Sequence, residues 1–208
     1  MEPIREKIVL IPDHFVPAKD IASAIQARKL RDFVWKYGIE NYFEVGGRGG
    51  GVCHQVMMEQ GFAAPGRLIA GADSHTCTYG ALGAISVGIG STEAGVIFAT
   101  GRMWFRVPQS MRFQVDGEPD PYVEGGKDII LRVISEIGGV EGARYRSMEF
   151  YGSTISLLDV AERMTIANMT TEAGAKCAYV HVDKKTHEYL RGGRVRGHVQ
   201  GGICRLGR

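Results

Sequence analysis

Lys7-Ile-Val-Leu-Ile-Pro-Asp-His14 is a short apolar run, rich in β-branched residues, that stops at a proline and is followed at once by a carboxylate and an imidazole. Such a run reads as a buried strand over 7–11, which leaves Asp13 and His14 at its carboxyl end. Asp20 then caps a helix in which Ile21, Ala24, Ile25, Phe33, Val34 and Tyr37 share one face, and Gly38 stops it. The same order of strand, polar tip and helix returns twice. Tyr42-Phe-Glu-Val45 leads into the glycine loop Gly46–Gly51 and a helix over Val52–Glu59 that carries His54 and Gln55. Arg67-Leu-Ile-Ala-Gly71 leads into Asp73-Ser74-His75-Thr76. Three such units predict a mostly parallel α/β sheet, and in sheets of that kind ligands bind beyond the carboxyl ends of the strands. The three polar tips are therefore expected to gather on one edge.

Further along, residues 80–101 carry small residues at close spacing and read as tightly packed helices. The texture changes after Trp104 and Pro108, so a first domain is placed at 1–105 and a second α/β domain at 106–183. Within the second, strands are expected at Arg112–Val115, Ser147–Tyr151 and Cys177–Val182. Helices are expected at Lys127–Ile137, with Ile130, Val133, Ile134 and Ile137 inward, and at Ser156–Ala173, where Asn168 and Glu172 share a face. Residues 184–208 form a basic Gly/Arg tail with neither apolar period nor cap signals, expected to lack regular structure.

Composition narrows the classes. With 208 residues and 44% hydrophobic content the chain can bury a core, and its 29 glycines have no collagen period. No apolar run reaches the roughly 18 residues of a membrane span, and Met1–Leu10 carries charges where a signal peptide is apolar, so no membrane and a cytoplasmic protein are expected. Four cysteines without a CxxC pair indicate neither a disulfide scaffold nor a zinc ribbon. The net charge of +2 divides into +6 for residues 184–208 and −4 for the rest. The basic tail lacks aromatics to stack bases, so no nucleic-acid partner is inferred from it.

Asp13-His14 and Asp73-Ser74-His75 each set a carboxylate beside an imidazole, the groups that exchange protons near neutral pH. A single pair of this kind is also a common turn; two pairs plus His54-Gln55 beside a glycine loop favour a site. The loop suits an anionic ligand, a carboxylate or a phosphate. It does not fit GxGxxG in any register, GxxxxGK[ST] is absent, and no GxSxG surrounds Ser74, so nucleotide sites and a serine nucleophile are disfavoured. Cys53 and Cys77 fit no standard zinc spacing, and Asn168 with Glu172 reads equally well as a solvated helix face.

PDHFVPAKD, GGGVCHQVMMEQG, PGRLIAGADSHTCTYGALGA, ATGRMWFRVP, KDIILRVI, MEFYG and ERMTIANMTTEAGA, in this order over residues 7–183, resemble the aconitase superfamily and within it the large subunits of 3-isopropylmalate dehydratases. The resemblance implies an aconitase-like, three-layer α/β/α fold in two partial domains. It also implies an iron-sulfur hydro-lyase with a 4Fe-4S cluster that isomerises 2-isopropylmalate to 3-isopropylmalate by dehydration and rehydration in leucine biosynthesis, working with a separate small subunit. Asp13 and His14 match the family's proton-relay pair and His54 its active-site histidine. Asp73 and His75 match residues that bond the iron-bound water. By the same resemblance Gln55, Ser74 and Asn168 are expected near substrate or cluster, and Glu172 is expected to contact the iron-bound hydroxyl. The family's cluster cysteines, in SCTN-type and CGPC-type motifs, have no counterparts, so none of Cys53, Cys77, Cys177 and Cys204 is assigned as a metal ligand. The chain is expected to be about half of a large subunit, truncated at both ends, with a tail from 184 that departs from the family. A homoaconitase-type hydro-lyase and a catalytically inactive fragment are the alternatives.

Overall fold

A computed structural model describes residues 3–47, 49–120, 122 and 125–192. The fold is α/β, and every strand pairing among the described residues is parallel. β1 (Val9–Leu10) pairs with β2 (Asn41–Tyr42), and α1 (Ile21–Tyr37) connects them. The Asp20 carboxylate accepts from the Ser23 amide and Gly38 closes α1 in the left-handed conformation, as both residue types favour. Leu30, Phe33, Val34 and Tyr37 pack on Ile8, Leu10 and Ile39. The first turns of α1 do not follow: Ile21 is 80% exposed.

The short α2 (Cys53–Glu59) leads to β3 (Leu68–Gly71), which pairs with β4 (Ile85–Gly88) from Leu68↔Ile85 to Gly71↔Gly88. β4 corrects the sequence reading of 80–101 as helices. Ile85 and Val87 alternate with small residues, a period-two signal hidden by the surrounding glycines. A 3-10 turn over Thr76–Leu82 precedes it, buried along its whole length, and α3 (Ser91–Thr100) follows. The expected close packing occurs at Gly80, where a Cβ would overlap the Ala178 carbonyl, but not at Gly95, which faces open space.

The third sheet runs β5 (Ser110–Gln114), β6 (Ser147–Tyr151), β7 (Cys177–Val180), with α4 (Gly126–Glu136) packed on it through Ile130, Val133 and Ile134. The expected helix over 156–173 is three pieces: α5 (Ser153–Leu157), α6 (Val160–Met169) and a 3-10 turn over Thr170–Ala173. Asp159 causes the break. Its carboxylate accepts from Glu162 N at 2.8 Å while Glu162 returns to Asp159 N at 3.0 Å, a capping box that starts a new helix.

Residues 184–192 also depart from expectation, forming α7 (Lys184–Gly192). Asp183 caps it, accepting from Thr186 N at 3.1 Å, and grips the fully buried Arg163 of α6 at 2.9 and 2.6 Å. The remainder of the tail, 193–208, lies outside the described residues. One core joins Met58, Tyr79 and Leu82 to Val160, Ala167 and Ala178, so side chains on both sides of residue 106 share it. No described helix is long and apolar enough to cross a membrane.

Candidate active site

β1 and β3 deliver Asp13-His14 and Asp73-Ser74-His75 to one edge, and α2 sets His54 beside them. Asp73 is the hub. Its carboxylate faces His14 Nε2 at 2.9 Å and His54 Nε2 at 3.2 Å, and it accepts from the His75 amide at 2.7 Å. Asp13 faces His14 Nδ1 at 2.6 Å and accepts from Cys53 N at 2.7 Å. The first amide of α2, where the sequence suggested an outside anion, is thus taken by the protein's own carboxylate. The loop before it folds back so tightly that a side chain at Gly50 would overlap the Glu44 carbonyl.

Protonation follows from these partners. Both ring nitrogens of His14 face carboxylates, which only an imidazolium satisfies by donating twice. Asp13, and then Asp73, holds its pKa above the ordinary 6.5 even though the side chain is 59% exposed. His54 behaves oppositely. Burial pushes its pKa down, and its Nδ1 is buried with no partner while Nε2 meets Asp73, the pattern of a neutral ring protonated at Nε2. For Asp13, burial pushes upward but the Cys53 amide and His14 outweigh it, and the net shift is downward.

The third strand tip connects to the turn after α6. His75 Nε2 lies 3.0 Å from Glu172 Oε1 and its Nδ1 3.0 Å from Ser74 Oγ. The Thr171 hydroxyl donates to the Ser74 carbonyl at 3.0 Å. Asn168 donates to the Thr78 hydroxyl at 2.9 Å and so braces the 76–82 turn. Gln55 stands apart, bonded to Glu59 at 2.6 Å along α2. Tyr79, Thr78 and Thr171 were not anticipated from the sequence. The buried Tyr79 ring packs on His54 with centroids 5.9 Å apart.

The described thiols do not fit an iron-sulfur cluster. Burial, then the Asp13 carboxylate, pushes the Cys53 thiol up to about 12. Cys77 is buried against the Thr171 hydroxyl at 3.0 Å, and burial also pushes up Cys177 in β7. Cluster ligands are thiolates, and these surroundings favour the neutral thiol. Among the described residues no group of three or more His, Cys, Asp and Glu side chains is arranged to hold a metal ion. Cys204 lies outside the described residues.

The pattern of the aconitase family (aconitate hydratase) matches residues 9–202, and the chain belongs to that family. It is 62% identical over 190 residues to the 3-isopropylmalate dehydratase large subunit of Picrophilus torridus, covering 91% of this chain and 45% of that protein. The protein of the same name from Moorella thermoacetica is 52% identical over 187 residues, 90% of this chain and 44% of the relative. That from Aquifex aeolicus is 53% identical over 186 residues, 89% and 42%. The chain thus spans about half the length of the curated relatives it matches. The family pattern also runs past 183 to 202, correcting the expectation that the tail departs at 184.

Proposed function

We propose that this chain supplies the proton-handling face of a 3-isopropylmalate dehydratase, a hydro-lyase that converts 2-isopropylmalate to 3-isopropylmalate by removing and re-adding water. The observation that carries this reading is the single network joining Asp13, His14, Asp73, His54, His75 and Glu172 through the tips of β1 and β3, helix α2 and the turn after α6. Dehydration requires a proton for the departing hydroxyl. His14, held as an imidazolium between Asp13 and Asp73, is the acid. Neutral His54 and the Ser74-His75-Glu172 chain orient Asp73 and the substrate oxygens.

The family's 4Fe-4S cluster would supply a Lewis acid, but the described residues do not fit its ligation, and no step is assigned to it. Its ligands, and the separate small subunit, belong to polypeptide beyond the described residues. The reading places the enzyme in the cytoplasm, acting on small carboxylates, without nucleic acid or membrane. A second reading, a chain without catalysis, is favoured by the poor fit of its described thiols to a cluster.

The test expresses the chain alone and together with the complementary half of a relative's large subunit and a small subunit. Each is reconstituted anaerobically with iron and sulfide, and dehydration is followed by the ultraviolet absorbance of the unsaturated intermediate. Activity is expected only in the complemented enzyme, with His14→Gln and Asp73→Asn lowering kcat by about 10²–10⁴. Wild-type rates in both variants would overturn the reading, and inactivity of every combination would leave the second.

A further inference from the structure

Three successive carbonyls of the Asp73-Ser74-His75 tip are each held by a threonine hydroxyl. Thr76 Oγ1 donates to the Asp73 carbonyl at 2.7 Å, Thr171 Oγ1 to the Ser74 carbonyl at 3.0 Å and Thr78 Oγ1 to the His75 carbonyl at 2.7 Å. Thr76 is a local device, bonding three residues back as threonines in turns do. The other two tie the tip to α6 and the turn after it. Thr171 lies 97 residues from Ser74, and Thr78 relays the grip of Asn168, whose Nδ2 donates to Thr78 Oγ1 at 2.9 Å. A hydroxyl that accepts one bond and donates another has its rotor fixed. Cys77 adds its thiol against Thr171 Oγ1 at 3.0 Å. The floor of the tip is equally close: a Cβ at Gly88 of β4 would stand 2.8 Å from the Asp73 carbonyl oxygen.

We infer that Thr78 and Thr171 are positioning residues for the proposed reaction, which grip the His75 and Ser74 carbonyls from the α6 side and so set the His75 imidazole against the Glu172 carboxylate. Thr78 is 2% exposed and meets no substrate, and Thr171 spends its hydroxyl proton on Ser74, so both act through their neighbours. The pair they align needs the help. The His75 and Glu172 side chains are 33% and 45% exposed, and an ion pair that open to solvent holds its geometry weakly by itself. Two backbone grips on adjacent carbonyls supply the order that the 3.0 Å side-chain contact lacks. The requirement is strict, because a displacement of about 1 Å in such a group costs about 10²-fold in rate.

The inference rests on the proposed function, and two readouts keep their failures apart. Thr78→Val and Thr171→Val keep the branched shape and delete the hydroxyl, while Thr78→Ser keeps the hydroxyl. Thr165→Val is the control on the same helix, deleting a hydroxyl that bonds the Ala161 carbonyl at 3.2 Å. The first readout is the His75 ring-proton resonances of the 208-residue chain by NMR; the second is kcat and KM of the complemented enzyme. Both valine variants of the tip should shift the His75 resonances and lower kcat by about tenfold to a hundredfold, with KM within about threefold of wild type. Thr78→Ser and Thr165→Val should keep the wild-type resonances and a kcat within about threefold. Circular dichroism checks folding, and if Thr78→Val does not fold, Thr171→Val decides alone. Unchanged resonances or unchanged kcat in the valine variants of the tip, or a loss that Thr78→Ser shares, overturns the inference. If the complemented enzyme is inactive, the reaction falls and the resonances still decide whether the two threonines place His75. If it is active and those valine variants match wild type, the positioning role alone falls.

Discussion

Asp183→Asn should unlatch α7 from α6, and the size of the effect can be worked from two directions. The Arg163 guanidinium holds the Asp183 carboxyl at about 2 instead of its ordinary 3.8. At 1.36 kcal/mol per unit, that difference is about 2 kcal/mol of folding stability. Asp183 is 23% exposed and Arg163 is 0% exposed, so the pair is well screened from solvent. Removing one partner of a buried pair costs about 3–5 kcal/mol. The amide oxygen of the variant side chain can still accept from Thr186 N, so a loss of about 2–4 kcal/mol is expected, a Tm drop of roughly 5–15 °C for a chain of this length. Urea unfolding of both proteins, followed by circular dichroism, measures it. A depressed carboxyl contributes stability that is present above its unfolded value and lost as pH falls through its folded value. The gap between wild type and variant should therefore be full at pH 7 and narrow between about pH 4 and 2. A gap below about 0.5 kcal/mol at pH 7, or one that stays constant down to pH 2, would refute the latch.

Other expectations follow from the same geometry. In a ring-proton NMR titration, His14 should titrate above 6.5 and His54 below it, leaving a window in which one is charged and the other neutral. His14 then contributes stability that is present below 6.5 and lost as pH rises through its folded value, so the stability deficit of His14→Gln should shrink on the alkaline side; a constant deficit would contradict the assignment. Gly80→Ala forces a Cβ into the Ala178 carbonyl and should cost about 1–3 kcal/mol by thermal melting, whereas Gly95→Ala in open space should be neutral or slightly stabilising. The isolated chain exposes Ile21, Trp104 and Val107 at 80%, 90% and 65%, and light scattering should find it self-associating at micromolar concentration; a monodisperse monomer would argue that these residues form no contiguous sticky surface.

Most of the strands and the long helices were legible because each is a local decision. Asp20 and Gly38 bound α1 as their side-chain chemistry requires, and Ser147–Tyr151 is a strand with its apolar residues alternating inward. The convergence of Asp13, His54 and Asp73 was legible too, since the rule about strand ends needs only the order of elements. What escaped depends on contacts remote in sequence. Glu172 meets His75 across 97 residues, and no local pattern distinguishes that pairing from a solvated helix face. α7 sets only Tyr189 and Leu190 on the core, and its start is latched by the buried Arg163, a charge that sequence reasoning places on a surface. The split of α5 from α6 turned on one aspartate with a glutamate three residues on, a capping signal outweighed by the helical period around it.

The placement of α6 explains why such remote contacts matter to the chemistry. Arg163 lies on the face of α6 that is latched to Asp183, while Asn168, five residues on, faces the 76–82 turn and braces Thr78. Thr171 and Glu172 continue that second face into Ser74 and His75. One helix thus carries a structural clamp on one side and the brace of the proton network on the other. A rotation of about 20° about its axis would move Cβ atoms by about an ångström, given a helix radius near 2.3 Å with side chains beyond it, enough to break hydrogen bonds of 3 Å. Tyr189 and Leu190 add packing to the clamp, but the bidentate Arg163–Asp183 pair fixes orientation as well as distance, which apolar contacts do not. The strength of the α6–α7 latch and the alignment of Glu172 on His75 are therefore expected to vary together, and Asp183→Asn should shift the His75 ring-proton resonances in an NMR spectrum; unchanged resonances would uncouple the two.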